Sequence, residues 1–186
     1  MKKSLLATFL VTLTLCGLVF VGGVRFGAAQ AGTQVSGIVG QDTSWTKANS
    51  PYNLAGPVLV KTGVTLTVEP GVAVNLNGFY IQVNGTLLSR GSSAEKITYV
   101  GGEIRFTNSN DTIGSVVEQN VVDFIRITFA SPTISDSSVT YIQVYGGGPT
   151  IENNNITGSN AMPLSLEYNT IATITNNSIA YSSDSI

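Results

Sequence analysis

One short phrase recurs three times in this chain, as PTISDSSV at 132–139, PTIENNNI at 149–156 and ATITNNSI at 172–179. Each copy places Asp or Asn two residues after an apolar residue, and a second apolar residue follows. The first apolar positions are Ile134, Ile151 and Ile174, at spacings of 17 and 23 residues, and VEQNVV at 117–122 fits the same frame loosely. A unit this short cannot bury a core by itself, so the repeat predicts that successive copies stack as turns of a solenoid.

Alternating strand phrases precede the repeats: FIRITF at 124–129, YIQVY at 141–145 and PLSLEY at 163–168. Apolar residues at every second position are the signature of a β-strand. Asn and Asp suit the bends because they tolerate left-handed backbone geometry and can hydrogen-bond along a ladder of like residues. Charged residues are only 11% of the chain, while the small polar residues that weaken helices are plentiful. We therefore predict an all-β fold.

The segment from Gly56 to Phe106 consists of short alternating stretches separated by Pro70-Gly71, Asn84-Gly85 and Gly101-Gly102. Such dipeptides mark turns, and Asn-Gly between strands would by itself suggest hairpins and an antiparallel sandwich. The repeat downstream, which keeps its register from copy to copy, favours the solenoid.

The first 31 residues have the form of an export signal. Lys2 and Lys3 precede an uncharged apolar run from Leu5 to Val24, and Ala29-Gln30-Ala31 fits a small-x-small cleavage site. The alternative is an uncleaved membrane anchor, because the run is about 20 residues long. We predict a secreted or cell-surface protein whose contact with a membrane is limited to this segment.

Removal of residues 1–31 leaves six basic and eleven acidic residues and no Cys. The acidic balance argues against nucleic-acid binding, which requires clustered Lys and Arg. Without Cys the exported chain cannot form a disulfide, so its stability must come from its core and its backbone pairing.

The run from Val64 to Gly102 and the phrase PTIENNNITG resemble the coils of secreted right-handed parallel β-helix proteins, as in the pectate-lyase-like superfamily and the NosD-like proteins. The resemblance covers roughly residues 43–186. It implies a right-handed solenoid, an exported location and frequent contact with carbohydrate, but one such fold hosts many activities. It also implies that residues 32–57, which include Trp45, cap the coils of 58–186.

Catalysis has few candidate residues. The chain has no His, and no Asp-Asp pair of the kind found in the polygalacturonases of the resembled superfamily occurs. The pectate lyases that the chain resembles use an Arg or Lys base beside acidic Ca²⁺ ligands, so Arg126 with Asp123 and Glu118 is the best cluster available. The alternative is that these charges simply flank a strand in water. We predict neither a cofactor nor a metal site.

A binding surface has a stronger basis. If the Ile, Val and Leu residues of the three strand phrases point inward, period two directs their neighbours outward. The predicted binding residues are Phe124, Arg126, Tyr141, Gln143, Tyr145 and Glu167. Aromatic rings beside hydrogen-bonding side chains suit a sugar ring, whereas cross-strand stacking that stabilises the sheet is the alternative. Arg105 is expected on the same flank, where paired guanidiniums would attract an acidic glycan.

These observations predict an exported, non-catalytic module that serves as a scaffold or binds polysaccharide or cell-wall glycan. The alternative is a degenerate or truncated polysaccharide lyase or hydrolase. ATITNNSIAYSSDSI ends without a polar closing segment, so the last coil is expected to be open and a further domain is expected beyond Ile186.

Overall fold

The computed structural model describes residues 32–107, 114–159 and 162–182. In these ranges the chain forms seventeen β-strands and a 3₁₀ turn at Lys47–Asn49. The strands are β1 Thr33–Val39, β2 Thr43–Trp45, β3 Tyr52–Val60, β4 Thr65–Val68, β5 Ala73–Asn75, β6 Tyr80–Val83, β7 Thr86–Arg90, β8 Ile97–Thr107, β9 Val116–Glu118, β10 Asn120–Thr128, β11 Thr133–Ser135, β12 Ser138–Tyr145, β13 Thr150–Glu152, β14 Asn155–Ser159, β15 Leu164–Glu167, β16 Thr173–Thr175 and β17 Ser178–Ser182.

The strands stack in parallel as a β-solenoid of about six turns. One sheet contains β1, β3, β5, β6, β8, β10, β12, β14, β15 and β17, and the other runs in the order β2, β4, β7, β9, β11, β13, β16. Every strand pair in the described ranges is parallel, for example β8 with β10 and β10 with β12. The predicted all-β solenoid is therefore confirmed and the antiparallel sandwich is excluded, while the right-handed sense of the coil stays a prediction.

The repeat found in the sequence sets the register of both sheets. Ile134 of β11 lies opposite Ile151 of β13, and Ile151 lies opposite Ile174 of β16. On the other sheet Val139 lies opposite Ile156. Ile134, Ile151 and Ile156 are fully buried because each turn covers the apolar residues of the next, which produces one continuous core.

The predicted capping segment, residues 32–57, contains strands of the solenoid. β1 pairs in parallel with β3, and β2 pairs in parallel with β4. Trp45 stacks on Tyr52 with 4.8 Å between ring centroids, and both side chains are buried. The predicted division after residue 57 falls inside β3, and the capping role of the segment stays a prediction.

The bends of the repeat have the backbone geometry that their Asx residues predict. Asp136, Asn153 and Asn176 have φ angles of 51°, 56° and 54°, in the left-handed region. Gln119 occupies the equivalent position one turn earlier, with φ of 56°. The left-handed residue ends one strand and turns the chain into the next sheet.

The residue after each left-handed position points inward and forms a ladder. Its members are Asn120, Ser137, Asn154 and Asn177. Asn120 N–H donates to Ser137 Oγ at 3.0 Å, and Ser137 N–H donates to Asn154 Oδ1 at 3.0 Å. Asn154 Nδ2 donates to the Ile134 carbonyl at 2.9 Å and to Asn177 Oδ1 at 3.0 Å. We call this set the Asn/Ser ladder; it satisfies polar groups that the solenoid buries at its corner.

Exposure increases in the last described turn. Leu166 lies opposite Val144 as predicted, but 47% of its surface is exposed, because β15 pairs only with β12 among the described strands. The expectation that Leu166 is an inward core residue is thus correct for its register and wrong for its burial. Ile179 and Tyr181 of β17 are 49% and 58% exposed.

The predicted export signal, residues 1–31, lies outside the described residues. In the part of the chain that is described, no helix has the length and apolar character needed to cross a membrane.

Candidate functional site

The predicted binding residues lie on one outward surface of β10, β12 and β15. Phe124 of β10 lies opposite Tyr141 of β12, and Arg126 lies opposite Gln143. Tyr145 at the end of β12 lies opposite Glu167 of β15. Period-two alternation places these side chains outward because Ile125, Ile127, Ile142 and Val144 fill the core behind them. The structure brings the six residues together, and their role in binding stays a prediction.

A chain of hydrogen bonds runs across this surface. We call it the polar stripe; its members are Glu103, Arg105, Arg126, Gln143, Ser165 and Glu167. Arg126 is central to it, because its Nε donates to Glu103 Oε2 at 3.1 Å and its Nη1 donates to Gln143 Oε1 at 2.8 Å. The Gln143 amide then donates to Glu167 Oε1 at 3.2 Å. The stripe thus joins four successive strands, β8, β10, β12 and β15, in one connected polar network.

Glu103 bridges a pair of guanidiniums. Arg105 and Arg126 lie opposite each other on β8 and β10, as predicted, and Glu103 accepts hydrogen bonds from both. The Glu103 side chain is only 13% exposed. Burial by itself would raise the pKa of the Glu103 carboxyl, but the hydrogen bonds and positive charges of the two Arg residues outweigh it and hold that pKa below its ordinary range. Glu103 is therefore ionised at neutral pH.

Glu167 adds a second carboxylate at the opposite end of the stripe. Its Oε1 accepts hydrogen bonds from Ser165 Oγ at 2.8 Å and from the Gln143 amide. These bonds, that from Ser165 first, lower the pKa of the Glu167 carboxyl. Because Glu167 is solvent-exposed, its carboxylate can also accept hydrogen bonds from a molecule that approaches from solution.

Aromatic rings lie along one side of the polar stripe. The Arg105 guanidinium carbon lies 3.6 Å from the centroid of the Tyr80 ring, and that of Arg126 lies 5.0 Å from the Phe124 ring. Phe124 and Tyr141 meet edge to face, with 6.2 Å between centroids. Each guanidinium thus lies over one aromatic ring, at a distance typical of cation–π contacts.

A second aromatic group, which we call the aromatic corner, flanks the other side of the stripe and consists of Phe129, Tyr145 and Tyr168. The rings of Tyr145 and Tyr168 stack at 4.9 Å between centroids, and Phe129 meets each of them edge to face at 5.6 Å. Despite these contacts Phe129, Tyr145 and Tyr168 remain 45%, 40% and 59% exposed. Their rings form a solvent-facing apolar surface beside Glu167.

Sequence reasoning missed Phe129 and Tyr168 because strict alternation directs them inward. Both residues have a φ of 50°, which interrupts the strand geometry and turns their side chains outward. The available signal is that FIRITF and PLSLEY each end in an aromatic residue. Gly146, whose φ is 70°, lies between them and makes room: a Cβ built on Gly146 would lie 2.6 Å from the Phe129 ring.

Arg126, Asp123 and Glu118, the candidate catalytic residues, contact different partners. Arg126 belongs to the polar stripe, whereas Asp123 Oδ2 accepts the Gly101 N–H at 2.6 Å. Glu118 lies in the other sheet, where it pairs with Arg90 at 2.9 Å. The structure therefore does not bring Arg126, Asp123 and Glu118 together as one cluster. Among residues 32–107, 114–159 and 162–182, no group of three or more His, Cys, Asp or Glu is placed to hold a metal ion.

Comparisons with protein-family models, with curated proteins and with solved structures found no match for this chain. Its function must accordingly be inferred from the geometry of the polar stripe and the aromatic corner.

Proposed function

We propose that this chain is a non-catalytic glycan-binding module whose ligand lies on the outward surface of β8, β10, β12 and β15. The observation that carries the proposal is the aromatic corner, where three rings keep 40–59% of their surface exposed directly beside a polar stripe. Sugars present C–H groups on the faces of their rings and hydroxyls at the rim. A surface with apolar rings next to hydrogen-bonding groups matches both features.

Structural stacking alone does not account for the aromatic corner. Cross-strand aromatic pairs stabilise sheets, and the contact between Tyr145 and Tyr168 has that effect. However, Tyr168 leaves more than half of its surface in water, and Phe129 adopts a left-handed backbone conformation that directs its ring outward. Exposed aromatic groups of this kind favour an interaction surface.

The proposed location is secreted or cell-surface, because residues 1–31 have the pattern of an export signal. Export would expose the module to extracellular polysaccharides. The resemblance to right-handed parallel β-helix proteins supports this placement, and the solenoid of stacked parallel strands agrees with that resemblance at the level of architecture.

Two measurements on the same samples test the proposal. Co-sedimentation with insoluble polysaccharides measures retention of the protein, and a reducing-end assay of the supernatant measures cleavage. We expect retention on a subset of polysaccharides without new reducing ends. Tyr168→Ala should weaken retention about tenfold, since loss of an aromatic contact at a binding centre costs more than 1 kcal/mol.

Tyr181→Ala is the matched control, because Tyr181 is 58% exposed against 59% for Tyr168 but lies on β17, outside the aromatic corner. Equal retention of wild type and Tyr168→Ala would remove the aromatic corner from the site. New reducing ends would favour the alternative, a polysaccharide-cleaving enzyme.

A further inference from the structure

The polar stripe contains two positive and two negative side chains, so its formal charge is zero. The cations are Arg105 and Arg126, and the anions are Glu103 and Glu167. The arrangement differs from the sequence-based expectation that the stacked guanidiniums attract an acidic glycan. Glu103, which sequence reasoning did not assign to this surface, lies between those guanidiniums and offsets part of their positive charge.

Both guanidiniums already donate hydrogen bonds inside the stripe. Glu103 accepts from Arg105 and from Arg126 Nε, and Gln143 accepts from Arg126 Nη1 at 2.8 Å. Arg105 also lies over the Tyr80 ring, and Arg126 lies over the Phe124 ring. A carboxylate on a ligand would therefore meet guanidiniums whose positive charge Glu103 already offsets in part, and it would compete with Glu103 and Gln143 for the N–H donors that they occupy.

The aromatic corner lies beside the negative end of the stripe. Tyr145 is opposite Glu167 in the register of β12 and β15, and its ring stacks on Tyr168. A sugar ring placed on Tyr145 or Tyr168 would therefore lie near the Glu167 carboxylate. Sugar hydroxyls can donate hydrogen bonds to this carboxylate, whereas a uronate carboxylate would be repelled by it.

We propose, building on the glycan-binding function above, that this surface selects uncharged glycans over carboxylate-bearing glycans, and that Glu103 is the residue that sets this preference. Selection of this kind needs an unfavourable element against the wrong ligand as well as contacts to the right one. Glu103 supplies the first by offsetting the positive charge of the guanidiniums, together with the Glu167 carboxylate, and the aromatic corner supplies the second.

The test uses pairs of polymers that share a backbone and differ in charge: hydroxyethylcellulose with carboxymethylcellulose, and methyl-esterified polygalacturonan with its free acid. Affinity gel electrophoresis of the purified full chain measures retention by each polymer. We expect the protein to bind the uncharged member of at least one pair at least about tenfold more tightly than its acidic counterpart. Glu103→Gln should strengthen retention by the acidic member about tenfold, because it leaves both guanidiniums uncompensated.

Glu118→Gln is the matched control, since Glu118 also pairs with an Arg but lies on the other sheet. The Glu118→Gln variant should show the same preference for the uncharged polymer as wild type. If Glu103→Gln does not fold, wild-type protein still decides the question. Retention by the uncharged polymer should stay constant between about 50 and 500 mM NaCl, whereas binding through the guanidiniums would weaken as salt screens charge.

Equal or tighter binding of the acidic members by wild type would overturn the charge selection and leave the glycan-binding function in place. Retention by neither member of any pair, together with no retention in the co-sedimentation panel, would overturn both.

Discussion

At the scale of single residues, two adjacent positions of each repeat have different roles. Asp136, Asn153 and Asn176 take the left-handed conformation at the bend, and the residue that follows each of them enters the Asn/Ser ladder. Asn and Asp suit the first position because they adopt the left-handed backbone conformation more readily than other residues with a side chain. At the second position Asn and Ser are chosen because they can both donate and accept inside a buried corner.

Asn154→Ala should destabilise the protein by about 3 kcal/mol, because it leaves the buried Ser137 N–H without its acceptor and removes the bonds from the Asn154 amide to the Ile134 carbonyl and to Asn177. Urea denaturation followed by circular dichroism measures the change in the free energy of unfolding. Asn155→Ala is the control: Asn155 is exposed, so its loss should change that free energy by no more than about 0.5 kcal/mol. Equal effects of the two substitutions would contradict the ladder.

Glu103 should make stability depend on pH. The pKa of its carboxyl is lowered in the folded state, so the stabilisation is fully present above the unfolded pKa of about 4.3 and is lost as the pH falls through the folded pKa. Glu103→Gln should therefore cost about 1 kcal/mol at pH 7, and the difference from wild type should shrink below about pH 4.5. Thermal unfolding of both proteins between pH 7 and pH 3 measures this; a difference independent of pH would contradict it.

Some features of single residues could be predicted from the sequence and others could not. The left-handed bends were predictable, because Asn and Asp at fixed spacing have a known conformational preference. The inward orientation of Asn154 was not, since it depends on the change of direction that Asn153 introduces. The outward orientation of Phe129 and Tyr168 was not predictable for the same reason, because a single positive φ angle reverses the side of the strand on which a side chain lies.

At the scale of elements, the strands were more predictable than the corners between them. Apolar alternation and a constant spacing define both the strand positions and their register, so Ile134, Ile151 and Ile174 could be aligned before any pairing was known. For the same reason Arg126 and Gln143 could be placed side by side. Glu103 was not assigned to the site, because Gly101 interrupts the regular geometry of β8 with a φ of 74° and the register of β8 with β10 shifts between Val122 and Phe124.

The corner that follows β12 depends on Gly146. Gly146→Ala should cost about 1 kcal/mol from the positive φ alone, and the added Cβ should also displace the Phe129 ring that lies 2.6 Å from it. Retention on polysaccharide should therefore fall by about the same factor as in Tyr168→Ala. Gly78→Ala separates the two effects, because Gly78 has a φ of 81° but nothing within 4 Å of the added Cβ. If both variants bind as wild type does, Gly146 does not organise the aromatic corner.

At the scale of the whole molecule, the fold is nearly one-dimensional, because each turn contacts mainly the turns before and after it. Burial of equivalent positions shows the consequence. Ile104, Ile125 and Ile142 in successive turns are at most 1% exposed, whereas Leu164, in register with them, is only partly buried. Stability should therefore vary along the axis.

Native-state hydrogen exchange read by mass spectrometry should reveal this gradient. Amides of β8, β10 and β12 are expected to exchange slowest, and those of β15 and β17 at least about tenfold faster, because the latter strands bury less apolar surface and open locally. Uniform protection along the axis would show instead that the solenoid opens only as a whole.

The 17-residue spacing of β9, β11 and β13 has an evolutionary consequence. Tandem duplication of codons 134–150 would insert one complete turn, with its own copy of Ile134 in the core, of Ser137 in the ladder and of the Tyr141-Gln143-Tyr145 row on the surface. Each duplication would lengthen that surface by about 4.8 Å without redesign of a loop. The length of that surface is thus a heritable copy number, which unequal recombination can raise or lower in whole steps.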